Sequence, residues 1–302
     1  MIVVFGSLNV DLVAEMAAAP KAGQTIPAEA FRMEAGGKGA NQALAATRAG
    51  AEVVMAGAVG RDPLADIALR ALRAAGIDLA NVRDVDAVTG TATIWIERCG
   101  QNRIVVAAGA NAMARADTVD DATLARASSV LLQMEVPQSE TIAMIRRCKA
   151  NGVRSILNLA PALPFAREEL AACGLLVVNE DEAEDLAGWL GCGADAAAIH
   201  AALGCDVIRT LGSLGAEAAT REGHWATPAH AVAVVDTTAA GDCFFGALAA
   251  GLDRRLFLRA AMAEASVAAA LACTRKGAQA SLPMRAEIDA AIRATHSADP
   301  RQ

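Results

Sequence analysis

Residues 128–158 read SSVLLQMEVPQSETIAMIRRCKANGVRSILN, and the order of patterns within them decides the fold class. An apolar run at 130–134 is followed by a helical pattern over about 138–150, then by a second strand-like run at 153–158. Short apolar runs without polar alternation suit strands covered on both faces. A helix between two such strands makes them parallel neighbours joined by a right-handed crossover. The pattern continues outward in both directions. Toward the C-terminus come a strand at 175–178, helices at 182–190 and 195–203, a strand at 207–211, two short strands, and helices at about 243–252, 256–273 and 285–294. Toward the N-terminus lie strands at 2–5 and 53–59 and a helix that starts at Asp62-Pro63, where Asp caps and Pro takes the first helical position. Residues 15–27 read as a loop, 25–33 as a returning strand, and 296–302 as a frayed tail. The expected fold class is α/β, three layers with a mainly parallel central sheet and helices on both faces, in a single domain over 1–302.

One segment departs from this plan. Residues 91–97 alternate, the run Cys99-Gly100-Gln101-Asn102 turns the chain, and 104–107 return, which is a hairpin. Apolar residues fall on both of its faces, which suits a lid, a subunit contact or ordinary core packing.

Composition excludes several functions. The 302 residues carry a net charge of −7 with acids and bases interspersed, so there is no basic face for nucleic acid. Met1 leads into an apolar run without a basic n-region, so no signal peptide is read. Apolar stretches are broken by charge short of a membrane span. The seven cysteines form no Cys-x-x-Cys pair, which reads as reduced thiols in the cytoplasm. Cys243 reads as a small buried apolar group.

Chemistry concentrates in 235–246, Val-Asp-Thr-Thr-Ala-Ala-Gly-Asp-Cys-Phe-Phe-Gly, which the apolar, β-branched run 231–235 leads into. Small side chains before a helix start leave amides open, and these with the helix dipole favour an anion. Asp242 sits in the same turn. It is either a first-turn acid or a base beside a phosphate. A second glycine-rich stretch, Gly36-Gly37-Lys38-Gly39-Ala40-Asn41-Gln42, precedes a helix. It is not a Walker A loop, because Gly39 follows Gly-Lys where Ser or Thr would hold magnesium. Polar residues also follow other apolar runs: Asn9 and Asp11, Glu135, Asn158, Asn179, and Thr210 with Gly212. Ligands of parallel sheets bind at the carboxyl ends of strands, so this clustering points to a phosphate-handling enzyme.

These stretches together resemble the ribokinase branch of the PfkB-type carbohydrate kinases. The resemblance is carried by Gly-Ser-Leu-Asn-Val-Asp from Gly6, Gly-Gly-Lys-Gly-Ala-Asn-Gln-Ala from Gly36, Ala-Gly-Ala-Asn from Ala108 and Asn-Glu-Asp-Glu from Asn179. It continues through Thr-Leu-Gly-Ser-Leu-Gly from Thr210, Asp-Thr-Thr-Ala-Ala-Gly-Asp from Asp236 and Thr-Arg-Lys-Gly-Ala-Gln from Thr274. It implies transfer of the ATP γ-phosphoryl to the 5-hydroxyl of ribose, with Asp242 as base and Ala239, Ala240, Gly241 and Asp242 as the anion hole. It implies sugar contacts at Asn9, Asp11, Gly37, Lys38, Gly39, Ala40, Asn41, Glu135 and Asp242. ATP contacts carry over to Asn179, Gly241, Ser266 and the loop Thr210, Leu211, Gly212, Ser213, Leu214, Gly215. Ser266 stands where His is frequent in the family. Glu182 completes an Asn-x-x-Glu motif tied to Mg2+ handling. A monovalent cation, K+, is implied beside Asp236, Thr238, Ala272, Arg275, Gly277 and Ser281. Leu159 replaces a common family proline, away from the implied chemistry.

The resemblance also implies a β-sheet lid built from about 10–33 and 91–107, covering the sugar and pairing with the lid of a second subunit in a homodimer. Rival readings are a kinase for deoxyribose, a ketohexose, a ketodeoxy acid or adenosine, and a sugar-binding regulator without catalysis. Aromatic residues at 3% and no tyrosine disfavour a nucleoside slot. Retention of Asp242 and its small-residue turn disfavours the regulator. A dinucleotide-binding dehydrogenase fails for want of Gly-x-Gly-x-x-Gly after the first strand.

Overall fold

The computed structural model describes residues 1–297. The first half of the chain runs β1 (Ile2–Phe5), β2 (Asn9–Met16), β3 (Ala30–Gly36), α1 (Lys38–Arg48), β4 (Val53–Gly60), α2 (Pro63–Ala74), β5 (Asp78–Val85), β6 (Gly90–Glu97), β7 (Asn102–Ala107), α3 (Asp121–Arg126), β8 (Ser129–Leu132) and α4 (Gln138–Ala150). The second half runs β9 (Arg154–Asn158), α5 (Arg167–Leu170), β10 (Leu175–Val178), α6 (Glu180–Leu190), α7 (Ala196–Leu203), β11 (Asp206–Thr210), β12 (Ala216–Thr220), β13 (Gly223–Thr227), α8 (Ala240–Asp253), α9 (Leu258–Ala272) and α10 (Arg285–Ser297).

Nine strands form one sheet in the order β13-β12-β11-β10-β9-β8-β1-β4-β5. Its pairings are parallel from β11 across to β5, and β12 and β13 add antiparallel at one edge. Alternation along each strand splits the core in two. Ile2 and Val4 of β1 pack with α1, α2, α8, α9 and α10, whereas Val3 and Phe5 pack with α3, α4, α5, α6 and α7. Both faces are therefore dry, as the unbroken apolar runs require. The three-layer α/β class stands as read from the sequence.

A separate four-stranded sheet, β3-β2-β6-β7, is the expected lid. The hairpin β6–β7 is antiparallel and pairs Thr91 with Ala107. Phe31 and Met33 on β3 and Ile104, Val105 and Val106 on β7 are exposed, with Val105 at 70%.

Two expectations change, and one strand has no counterpart in the sequence reading. The strand expected at 25–33 begins only at Ala30, because β2 runs on to Met16 and its pairing ends with Glu15 opposite Ala30. The run 231–235, apolar and β-branched, lies outside both sheets. Strand β5 had no clear pattern in sequence. α10 continues to Ser297, so the start of the tail read as frayed is helical, and 298–302 lie outside the described residues.

Candidate active site

The polar side chains gather where the parallel strands end. Loop 6–8, after β1, packs on the first turn of α1. Gly37 caps that helix at φ 90°, a left-handed conformation suited to glycine. At Gly39 a Cβ would lie 2.5 Å from the Ser7 nitrogen, so only glycine permits the approach. Ser7 links the parts. Its carbonyl accepts from the Ala40 amide (2.9 Å), and its hydroxyl accepts from the Gly39 amide (3.2 Å) and donates to Glu135 Oε2 (2.6 Å). The same Glu135 oxygen accepts from the Lys38 amide at 3.1 Å, so Glu135 places its charge at the positive end of α1.

Asp242, in the first turn of α8, is buried and meets α1 side on. Asn41 Nδ2 donates to its Oδ2 at 3.0 Å and Gln42 Nε2 to its Oδ1 at 2.9 Å. Asn41 Oδ1 is buried without a donor among the described residues, which leaves it to accept from a ligand hydroxyl. On the lid side, Asn9 Oδ1 accepts from Asn111 Nδ2 at 2.7 Å. The Asn111 carboxamide also clasps Leu8, accepting from its amide (2.9 Å) and donating to its carbonyl (3.2 Å). With its oxygen engaged, Asn9 presents its NH2 group as the free half of its carboxamide.

Charge is unbalanced here. Burial, with Glu135, Glu34 and Asp242 nearby, pushes the Asp11 carboxyl up to about 7. Burial also raises Asp242, against Lys38, Asn41 and Gln42, which favour its charged form. Lys38 is itself buried, which lowers its pKa, but Asp242, Glu135 and Glu182 outweigh that and hold it above the usual lysine range. One ammonium thus serves several carboxylates. Such a site suits a neutral polyol, whose hydroxyls donate to the acids and accept from the amides.

On the other side of the α8 turn lies a cavity of about 410 Å3, lined by Thr210, Gly212, Ser213, Gly215, Ala240, Gly241 and Ser266 among others. That volume is in the range of small-molecule sites. Leu211 and Leu214 do not line it. They close the turn through backbone bonds, and Leu214 is 73% exposed. The Ser266 hydroxyl is spent on the Pro228 carbonyl at 3.1 Å. Asn179 and Glu182 stand outside the lining and cap α6 reciprocally, each accepting from the other's amide at 2.8 Å. Burial raises the Glu182 carboxyl, in spite of the Asn179 amide and Lys38.

The turn itself starts at Ala239, which holds φ 58° with an ordinary side chain, costing about 1–2 kcal/mol. This left-handed residue sets the direction of α8. The Ala240 amide donates to the Thr237 carbonyl, whereas those of Gly241 and Asp242 find no acceptor among the described residues. No atom crowds the face of Gly241 within 4 Å of an added Cβ. Gly241 thus opens on the cavity while the Asp242 carboxylate meets Asn41 and Gln42.

Beside this turn two loops are stitched together. Val235 and Asp236 amides donate to the Cys273 carbonyl (2.8 and 3.2 Å), and Gly277 donates to Asp236 Oδ2 at 2.9 Å. Asp236 Oδ1 takes two bonds from Thr238, so the carboxylate is first a strap between loops. Burial opposes its charge, but Thr238 and Gly277 overcome that and hold it below the usual carboxylate range. Ser281 is buried, donating to the Ala278 carbonyl at 2.9 Å. Ala272 accepts from the Arg275 amide, and the Arg275 side chain turns to Glu287. One anionic carboxylate, a hydroxyl and loop carbonyls are hard oxygen donors and fit an alkali cation. Among the described residues no cluster of three His, Cys, Asp or Glu could hold a metal ion.

The sequence reading brought Asn9, Asp11, Lys38, Asn41, Glu135 and Asp242 into one cluster and missed its supports. Ser7, Gln42 and Asn111 all lie inside the quoted motifs, where buried amide and hydroxyl groups were the available signal. The cavity walls Val232 and Val234 were missed because apolar residues at a site read as core.

Known proteins are similar to this chain over nearly its whole length. A family model described as pfkB family carbohydrate kinase matches residues 1–285. A ribokinase of Haemophilus influenzae is 34% identical over 94% of this chain and 95% of its own. A deoxyribokinase of Salmonella typhi is 36% identical over 93% of this chain and 95% of its own. The structure of an Arabidopsis thaliana ribokinase complexed with ribose and ATP superimposes with a TM-score of 0.88 at 30% identity, covering 97% of this chain and 98% of that one. With its doubly covered sheet, its lid and its acid beside a helix-start cavity, the chain belongs to the pfkB family of carbohydrate kinases.

Proposed function

We propose that this sugar kinase transfers the γ-phosphoryl of ATP to the 5-hydroxyl of D-ribose, giving ribose 5-phosphate and ADP. The observation that carries it is the α8 first turn, which offers Asp242 to the polar cluster and Gly241 to the 410 Å3 cavity. Acceptor and donor thus meet across one helical turn. The Asp242 carboxylate takes the hydroxyl proton as the oxygen attacks phosphorus. The bond between γ-phosphorus and its bridging oxygen breaks, and ADP leaves with that oxygen. Free amides of Gly241 and Asp242 stabilise the charge in flight, and Ala239 and Ala240 shape the turn. Asn9, Asp11, Lys38, Asn41 and Glu135 hold the sugar against the Gly37, Gly39 and Ala40 backbone. Thr210 to Gly215 and Ser266 hold the nucleotide, with Asn179 at its phosphate end.

Bound Mg2+ would neutralise charge on the phosphates, and Glu182 would hold it through water. K+ would be held by the Asp236 carboxylate, the Ser281 hydroxyl and carbonyls of Thr238, Ala272, Arg275 and Gly277, keeping the 236–242 turn in shape. Residues 1–302 act as one domain with the lid inserted, in the cytoplasm, where the seven unpaired cysteines stay reduced. No helix among the described residues is long and apolar enough to cross a membrane.

The test is an ADP-release assay over pentoses, hexoses and nucleosides. Ribose gives the highest specificity constant, and 2-deoxyribose is the informative competitor given the deoxyribokinase relative. A better substrate elsewhere in the panel overturns the choice of ribose. Asp242→Asn loses about 10²-fold or more in kcat while still binding ribose, and near-normal turnover removes Asp242 as base. Adding K+ to a cation-stripped, Na+-only assay raises the rate, and a flat response removes the cation.

A further inference from the structure

We propose that Gln42 is the positioning residue of the Asp242 base: locked by Gln133 and Asn158, it fixes the plane of the carboxylate and so which oxygen meets the acceptor hydroxyl. The inference rests on the reading of Asp242 as base and adds residues that touch neither sugar nor nucleotide in that reading. Gln42 and Gln133 are both fully buried. Gln133 Nε2 donates to Gln42 Oε1 at 2.6 Å, and Gln42 Nε2 donates both to Asp242 Oδ1 (2.9 Å) and to Asn158 Oδ1 (3.1 Å). Only one orientation of the Gln42 carboxamide satisfies these contacts. Turned over, its oxygen would face two acceptors and its NH2 would face the NH2 of Gln133.

Asp242 otherwise has one anchor, Asn41 at Oδ2. With both donors in place the carboxylate cannot rotate about its Cβ–Cγ bond, and each oxygen keeps a lone-pair site for substrate. The lock reaches across the sheet. Gln133 follows β8, Asn158 ends β9, Gln42 lies on α1 and Asp242 on α8, so four elements fix one carboxylate. Donors to a carboxylate also favour its charged form. The charged or titratable groups that bear on Asp242 are Lys38 on α1, Glu135 after β8, Asp11 on β2, Glu182 on α6 and Cys243 on its own helix. Lys38 alone among them favours the ionised acid, so the two amides are the remaining support for the base form.

Gln42→Met keeps the length of the side chain and removes the donor. Expected is a fall in kcat of about ten- to a hundredfold, with KM for ribose within about twofold. The acid limb of kcat against pH moves up by about one unit. Gln133→Met, which leaves the donor but frees it, moves kcat and the limb the same way by less, and decides the matter alone if Gln42→Met does not fold. An unmoved acid limb in the folded variant, or a loss confined to KM, overturns the inference. Asp242→Asn is measured in parallel. If it is inactive while Gln42→Met keeps the wild-type profile, positioning by Gln42 falls and the base stands. If Asp242→Asn turns over normally, both fall.

Discussion

Asp11 joins fold stability to the proposed sugar site in one side chain. Its carboxyl is raised to about 7 in the folded protein by burial and by the acids Glu135, Glu34 and Asp242. Glu34 is its direct register partner on β3. Between the ordinary aspartate range and pH 7 the folded state binds the extra proton, so stability falls as pH rises through that window, and the full cost stands above it. Asp11→Asn therefore raises the melting temperature at pH 8, by about 2 °C or more, and gives no gain near pH 4, as a pair of thermal melts would read. The same substitution raises KM for ribose about tenfold or more. In the wild type KM climbs as pH falls below 7, because a protonated Asp11 loses the charge that makes it a strong acceptor for a sugar hydroxyl. A KM independent of pH from 6 to 8 would separate Asp11 from the sugar.

At the scale of elements, legibility in the sequence follows from how many neighbours an element has. Strands β1 and β8 to β10 lie between neighbours and under helices on both faces, so their apolar runs announced them. β5 sits at the edge, pairs only with β4, and its ladder slips between Val54 and Ala56. Its sequence, Asp-Leu-Ala-Asn-Val-Arg-Asp-Val from Asp78, accordingly carries no clean alternation. The run 231–235 is the opposite case. Its β-branched residues have strand propensity but no partner strand, and Ala231, Val232 and Val234 instead wall the cavity beside α8. Propensity describes a residue, whereas a strand is a property of a pair. The site divided the same way. Residues with chemistry of their own, such as Asp242 and Lys38, stood out by type and spacing. Ser7, Gln133 and Asn111 did not, because their roles lie in bonds to residues 32 to 128 positions away.

For the whole molecule, the lid is both cover and edge. Apolar side chains from Phe31 and Met33 to Val105 and Val106 are left in water on two strands. Phe31, Met33 and Val105 share one face of the sheet; an exposed apolar face marks an interaction site, and the partner we propose for it is a second copy of the lid. On that proposal the wild type is a dimer in light scattering and Val105→Lys with Met33→Glu is a monomer, and a monomeric wild type would remove it. The lid also has little chain in common with the body. It joins the main sheet through loop 6–8, through Gly36-Gly37, and through the segments on either side of β6 and β7, so the two sheets share no ladder. The residues proposed to hold the sugar divide along that line, with Asn9 and Asp11 on the lid and Lys38, Asn41, Glu135 and Asp242 on the body. Bound ribose then acts as a rivet between two plates. Its presence should slow deuterium uptake at amides across the whole of β2, β6 and β7, including strands it never touches, while the amides of β9 to β11 exchange as before.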